Sequence, residues 1–237
     1  MKLKKITDWL DRTLNVAAFD DVSNNGMQIA RTGADVVAAA FAVDGSLRAV
    51  RAAAAAGAQL LVVHHGISWG GGIRRLDGGV YEIVKAAMDA DLALYACHLP
   101  LDAHAKYGNN AELARLLKLT KVRPAFSYHG NVIGFVGENA KAREVTVGDT
   151  AFELPHGTIG VCSGGAGEFA EEAKRLGCAL YLTGEASWGD VIAAENVGMP
   201  MVCAGHYATE VFGVRAVAKA LREELGVKTV DLTEELG

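Results

Sequence analysis

Aromatic side chains are scarce in this 237-residue chain, at 7% of the sequence, and proline and cysteine occur four times each. Four prolines exclude a proline-rich linker or an extended polyproline module. The four cysteines, Cys97, Cys162, Cys178 and Cys203, form no CxxC pair, which excludes a cysteine zinc cluster and a disulfide framework. Their apolar surroundings predict buried free thiols in a reducing compartment. An excess of basic charge is also missing: 23 Lys and Arg against 28 Asp and Glu leave a net charge of -5. Without a basic stripe, nucleic acid is disfavoured as the main partner. No apolar run is long enough to cross a bilayer, because the windows at 38–43 and 52–63 are short, Arg48 and Arg51 separate them and Gly57 breaks the second. The opening Lys2, Lys4 and Lys5 lead into the amphipathic Ile6-Thr7-Asp8-Trp9-Leu10 rather than a secretory apolar segment, so a cytoplasmic location is expected.

What is abundant is small and apolar. Hydrophobic residues make up 51% of the chain, with 28 glycines, and the patterning alternates strand with helix, as α/β layers require. Val36–Ala42 reads as a buried strand, followed by a helix whose apolar positions Leu47, Val50, Ala54 and Ala55 run up to Gly57. Gln59–Val63 is a second strand ending on His64-His65-Gly66, and a glycine-rich loop leads to a helix over Val80–Ala90. Leu92–Cys97 is a third strand ending on His98, with Asn109 and Asn110 as candidate caps for a helix over Ala111–Leu117. Beyond Arg123-Pro124, Ser127–Val136 and Arg143–Val147 read as antiparallel strands. Thr158–Cys162, Ala179–Thr183 and Met199–Ala204 read as strands; Glu168–Leu176, Val191–Asn196 and Thr209–Glu224 read as helices.

The halves repeat. Gly57-Ala58-Gln59-Leu60-Leu61-Val62-Val63-His64-His65 aligns without gaps on Gly177-Cys178-Ala179-Leu180-Tyr181-Leu182-Thr183-Gly184-Glu185, matching His65 with Glu185. Leu94–His98, with Asp102 one helical turn beyond, parallels Met201–His206, with Glu210 one turn beyond. The fold expected is therefore α/β: two similar α/β domains forming a pseudo-repeat, over residues 1–124 and 125–237.

Four of the seven histidines, His64, His65, His98 and His206, stand at the C-terminal ends of predicted buried strands. Those ends are where α/β sheets bind ligands. Four imidazoles in one register, joined by Asp102 and Glu210, predict a metal site. Adjacent His64 and His65 point to opposite faces while strand geometry persists, which favours two neighbouring ions or a turn at Gly66. Imidazole and carboxylate without thiolate suit zinc, iron, manganese, cobalt or nickel alike. A pair of ions ~3.5 to 4 Å apart supports hydrolase chemistry.

These segments carry a resemblance. Val62–Trp69, Cys97–His104, Gly108–Ala111, Leu182–Glu185 and Ala204–Glu210, with Ser23–Gln28 near the start, resemble in order the motifs of the NIF-three-like family, often labelled GTP cyclohydrolase 1 type 2 homologues. The resemblance implies a dinuclear metal site between the two domains and a toroidal hexamer built as a trimer of dimers. It places the ligands of two divalent transition metal ions on His64, His65, Asp102, His206 and Glu210, with His98 beside them as a further ligand or proton carrier. No inserted domain separates the halves, so functions housed in such an insert are absent. A metal-dependent hydrolase of a small-molecule substrate, either nucleotide-like or another cyclic amide or phosphoester, is the leading expectation. His98 and Glu185 are its candidate proton carriers. A metal-delivery protein and an interaction scaffold are the alternatives.

Other groups have plainer readings. Asn25 and Gln28 either bind ligand or form a turn around Gly26, and Trp69 and Trp188 either stack on a planar base or pack. Gly164-Gly165-Ala166-Gly167 lacks a complete phosphate-loop signature and reads as a tight turn. His104, His129 and His156 default to the surface, as do the acidic pairs Glu223-Glu224 and Glu234-Glu235.

Overall fold

A computed structural model describes residues 1–237. In chain order the first elements are α1 (Leu3–Thr13), β1 (Gly26–Ile29), β2 (Ala38–Asp44), α2 (Leu47–Ala55), β3 (Leu60–His65), α3 (Gly78–Asp89), β4 (Ala93–Ala96), α4 (Leu99–Ala103) and α5 (Asn109–Leu116). There follow β5 (Thr120–Tyr128), β6 (Asn131–Asn139), β7 (Arg143–Val147), β8 (Thr150–Leu154), β9 (Gly157–Gly165), α6 (Ala170–Arg175) and β10 (Leu180–Glu185). The chain closes with α7 (Trp188–Val197), β11 (Met201–Cys203), α8 (His206–Leu225), β12 (Lys228–Asp231) and α9 (Thr233–Leu236). The α/β class read from the sequence is the class observed.

The chain forms two compact units, one of Met1–Leu101 with Val214–Gly237 and the other of Asp102–Gly213. This division differs from the one expected at 124/125. The C-terminal segment returns to the first unit, where β12 pairs in parallel with β2 from Lys228↔Ala38 to Asp231↔Phe41.

The first unit's sheet has the order β1-β4-β3-β2-β12. Only β1 runs antiparallel, at the β4 edge. Strand β2 is buried over Ala38–Val43, and β3 over Leu60–His64, because helices cover the sheet and both strand faces lie inside. Ser46 caps α2 by accepting from the Ala49 N–H, and that helix buries Ala49, Val50 and Ala53. These alanines pack with Ala40, Ala42, Ala58, Ala87 and Ala96 around Leu61, Val63 and Leu94. Small side chains on both layers fill this core, so few aromatics are needed.

The second unit's sheet has the order β11-β10-β9-β6-β5, with the β7-β8 hairpin separate. Here β11, β10 and β9 are parallel, and β6 and β5 add antiparallel beyond β9. The run β4-β3-β2 in the first sheet and β11-β10-β9 in the second thus have the same parallel order, with β3 and β10 matching the aligned repeat. A two-residue turn joins β5 to β6, with His129 (φ 48°) and Gly130 (φ 79°) both left-handed, as a type I′ hairpin needs. Pro124 is tolerated because β5 is an edge strand. Cys97, Cys162 and Cys178 are buried free thiols as expected, but Cys203 is exposed, since β11 is the opposite edge.

Candidate metal centre

In the first unit, parallel pairing sets the register of the histidines. Strand β3 lies between β2 and β4, with Asp44 opposite His65 and Val63 opposite Ala96. His64 is fully buried, and its Nδ1 lies 3.0 Å from the Cys97 carbonyl oxygen. His65 Nδ1 lies 2.8 Å from Asp44 Oδ1. His98, just past β4, has Nδ1 2.9 Å from Asp21 Oδ1. A carbonyl and two carboxylates only accept, so each Nδ1 carries the proton, and in the neutral ring each Nε2 keeps its lone pair. The three rings cluster, with centroids 4.6 Å apart for His64 and His65, 5.1 Å for His64 and His98 and 5.7 Å for His65 and His98. One ring nitrogen from each lies within 4.8 Å of the others, so the trio can hold a metal ion.

A web of half-buried polar groups fixes this arrangement. Asp21 accepts from Ser23 N–H, Leu99 N–H and Asn25 Nδ2 as well as from His98. Burial alone pushes its carboxyl up, but the hydrogen bond and charge of His98, with the Ser23 and Asn25 donors, prevail and hold it at about 2. Asn25 Oδ1 accepts the His98 N–H at 2.8 Å. Gln28 Oε1 accepts from Ile67 and Ser68 N–H while its Nε2 donates to the Asn24 carbonyl. Of the two readings for Asn25 and Gln28, these bonds favour the structural one: they hold the loops that carry His98 and follow His65. Asp21 was not singled out from the sequence.

In the second unit Glu210 lies one turn after His206 on α8, and the two share a face, with Nε2 3.3 Å from Oε1. Glu185, the repeat partner of His65, lies 3.0 Å from His206 Nδ1. With a carboxylate at each nitrogen, His206 is pushed up to about 9, chiefly by Glu210 and then Glu185, against the opposing effect of burial. Gly164, in the left-handed region at φ +68°, brings the end of β9 so close that a Cβ there would stand 2.3 Å from Glu210 Oε1 and 3.3 Å from His206 Nε2. The glycine run is thus a cradle for this acid-histidine pair.

Asp102, buried, has Oδ1 2.8 Å from Asn109 Nδ2 and 3.1 Å from Ser163 Oγ. Asn109 Oδ1 in turn accepts from Gly213 N–H, and Asn110 Oδ1 accepts from Ser163 N–H. These asparagines do not cap α5, whose N-cap is Gly108. They are fully buried on its first turn, where they orient Asp102 instead. Of the remaining histidines, His129 and His156 are exposed, whereas His104 is half-buried, stacked on Tyr107, with Nδ1 accepting from Tyr107 N–H. Trp188 is 76% exposed, and Trp69 sits edge-on to His98 with centroids 5.1 Å apart.

The donor set, imidazoles and carboxylates without cysteine, fits a divalent transition ion. So does the fixing of His64, His65 and His98 at Nδ1, the usual arrangement around a ligating histidine.

Comparison with known proteins agrees in family. The chain is 39% identical to a GTP cyclohydrolase 1 type 2 homolog of Pyrococcus horikoshii, with both chains covered completely, and 41% identical to one of Deinococcus radiodurans, covering 94% of this chain and 89% of that one. Among solved structures, a structural-genomics protein ybgI of unknown function superposes with a TM-score of 0.86 at 28% identity over 98% of each chain. The family profile described as Duf34/NIF3 (NGG1p interacting factor 3) matches residues 1–235, and the chain belongs to that family.

Proposed function

We propose that this protein binds two divalent transition metal ions through His64, His65, Asp102, His206 and Glu210 and acts as a metal-dependent hydrolase. The observation that carries the reading is the imidazole trio of buried His64 and half-buried His65 and His98, whose Nδ1 atoms all face acceptors, so that each Nε2 is the nitrogen able to accept a cation or a proton. When bound, the ions would polarise a carbonyl or phosphoryl oxygen and supply hydroxide near neutral pH. His98, oriented by Asp21, accepts or returns a proton at Nε2, and Glu185 does so beside His206. Asn109 and Ser163 keep Asp102 in one orientation. The relatives' name, GTP cyclohydrolase 1 type 2 homolog, makes a nucleotide or another small cyclic amide or phosphoester the substrate class to try first.

The test is a screen of the metal-loaded protein against nucleotides and phosphoesters, GTP included, beside Asp102→Ala. Turnover that falls at least a hundredfold in the variant, with its circular dichroism unchanged, supports the hydrolase. Full metal loading with no turnover across the panel turns the assignment to metal binding or delivery.

A further inference from the structure

Beside His65 the first unit has an open, shallow pocket of about 410 Å³ that the roles above leave unused. That volume lies within the ordinary range for small-molecule sites. Trp69, Ile67, Val80 and Ile83 give it apolar walls, and Asp44, Ser46 and His65 a polar rim.

The indole is held in place twice, by its Nε1 donating to the Gly66 carbonyl at 2.9 Å and by its edge-on contact with His98 at 77°. It nevertheless remains 38% exposed. A tryptophan fixed in this way and still open to solvent is a ready stacking platform, because no ordering is left to be done when a flat ring lands on it. The rim complements the edge of such a ring. Asp44 turns Oδ1 to His65 and is half exposed, so its second oxygen can accept from a ring N–H or amino group. Ser46 Oγ accepts from Ala49 N–H and so still has its hydroxyl proton to donate.

We infer that this pocket is a subsite for a planar heteroaromatic ring bearing an N–H edge, with the ring on Trp69 and the edge at Asp44 and Ser46. Its role as the substrate's anchor rests on the hydrolase reading above; its capacity to bind the ring does not. A ring seated here lies against His65, so the remainder of the molecule is delivered to the imidazole trio.

Equilibrium dialysis of the full-length protein with guanosine, both as purified and after chelation, tests this. Nebularine, a purine riboside without an N–H on its base edge, is the comparison. Saturable guanosine binding that survives chelation, weakens at least tenfold in Trp69→Ala and returns to within about threefold in Trp69→Phe is the expected result. Nebularine should bind at least tenfold more weakly. No saturable guanosine binding, equal binding by Trp69→Ala, or equal affinity for nebularine overturns the inference. The two readings fail separately: binding without turnover removes the hydrolase and keeps the pocket, whereas turnover with no saturable guanosine binding, or with binding indifferent to Trp69, removes the pocket and keeps the hydrolase.

Discussion

Single residues do two kinds of work here, and the sequence reveals one kind far better than the other. The candidate ligands stand at the end of β3 or on the helices that directly follow β4 and β11, where topology makes them visible. The groups that orient them do not, because their partners are remote: Asp21 is 77 residues from His98, and Ser163 is 61 from Asp102. Nothing in local periodicity marks such pairs, and Asn109 was legible only as a cap. Replacing Asn109 with alanine leaves Asp102 short of a donor and the buried Gly213 N–H without its acceptor. It should cost about 1–3 kcal/mol in urea unfolding and weaken metal binding roughly 10–100-fold; unchanged affinity would show that Asn109 does not orient a ligand. Gly164→Ala puts a Cβ against Glu210 at a left-handed position. A loss of about 1–2 kcal/mol is expected from the backbone alone, with a fall in bound metal, and equal stability and metal content would refute the cradle.

At the scale of elements, the parallel strands and their helices were readable because a buried strand is a continuous apolar run bounded by glycine or polar residues. Strand β12 was not, since Lys228–Asp231 is short and half-exposed and gains its place only by pairing with β2. The connection between β1 and β2 has its own anchor: Asp91 accepts from Thr32 N–H, Thr32 Oγ1, Gly33 N–H and Arg31. The Thr32 backbone N–H, then its hydroxyl, with Arg31 and Gly33, lowers its carboxyl to about 2. A folded-state value below the unfolded one means stability that is present above the ordinary carboxylate range near 3.8 and lost as pH falls toward 2. Asp91→Asn tolerates the same left-handed backbone but loses the charge. Its urea midpoint should therefore lie below the native one at pH 6, with the gap closing near pH 2. A gap independent of pH would show that charge is not what anchors this segment.

For the whole molecule, the aligned repeat falls on β3 and β10, each the middle of three parallel strands, whereas similarity between halves says nothing of where the last strand docks, and β12 docks on β2. The compact units are interleaved along the chain, with Val214–Gly237 returning to the first. We expect the protein to assemble into a homohexamer, so light scattering after size-exclusion chromatography should report six chains; a monomer at micromolar concentration would reject that assembly. His206, held protonated by Glu210 and Glu185, must give up its proton to ligate. Metal loading at pH 7 should therefore release protons, and fewer in His206→Ala. The central claim is the metal centre itself, and bound metal per chain tests it most directly. The untagged protein, loaded with zinc or manganese and desalted, should retain two ions per chain by elemental analysis, and His65→Ala and Glu210→Ala should each retain fewer. Well under one ion per native chain, or full occupancy in both variants, would contradict the account.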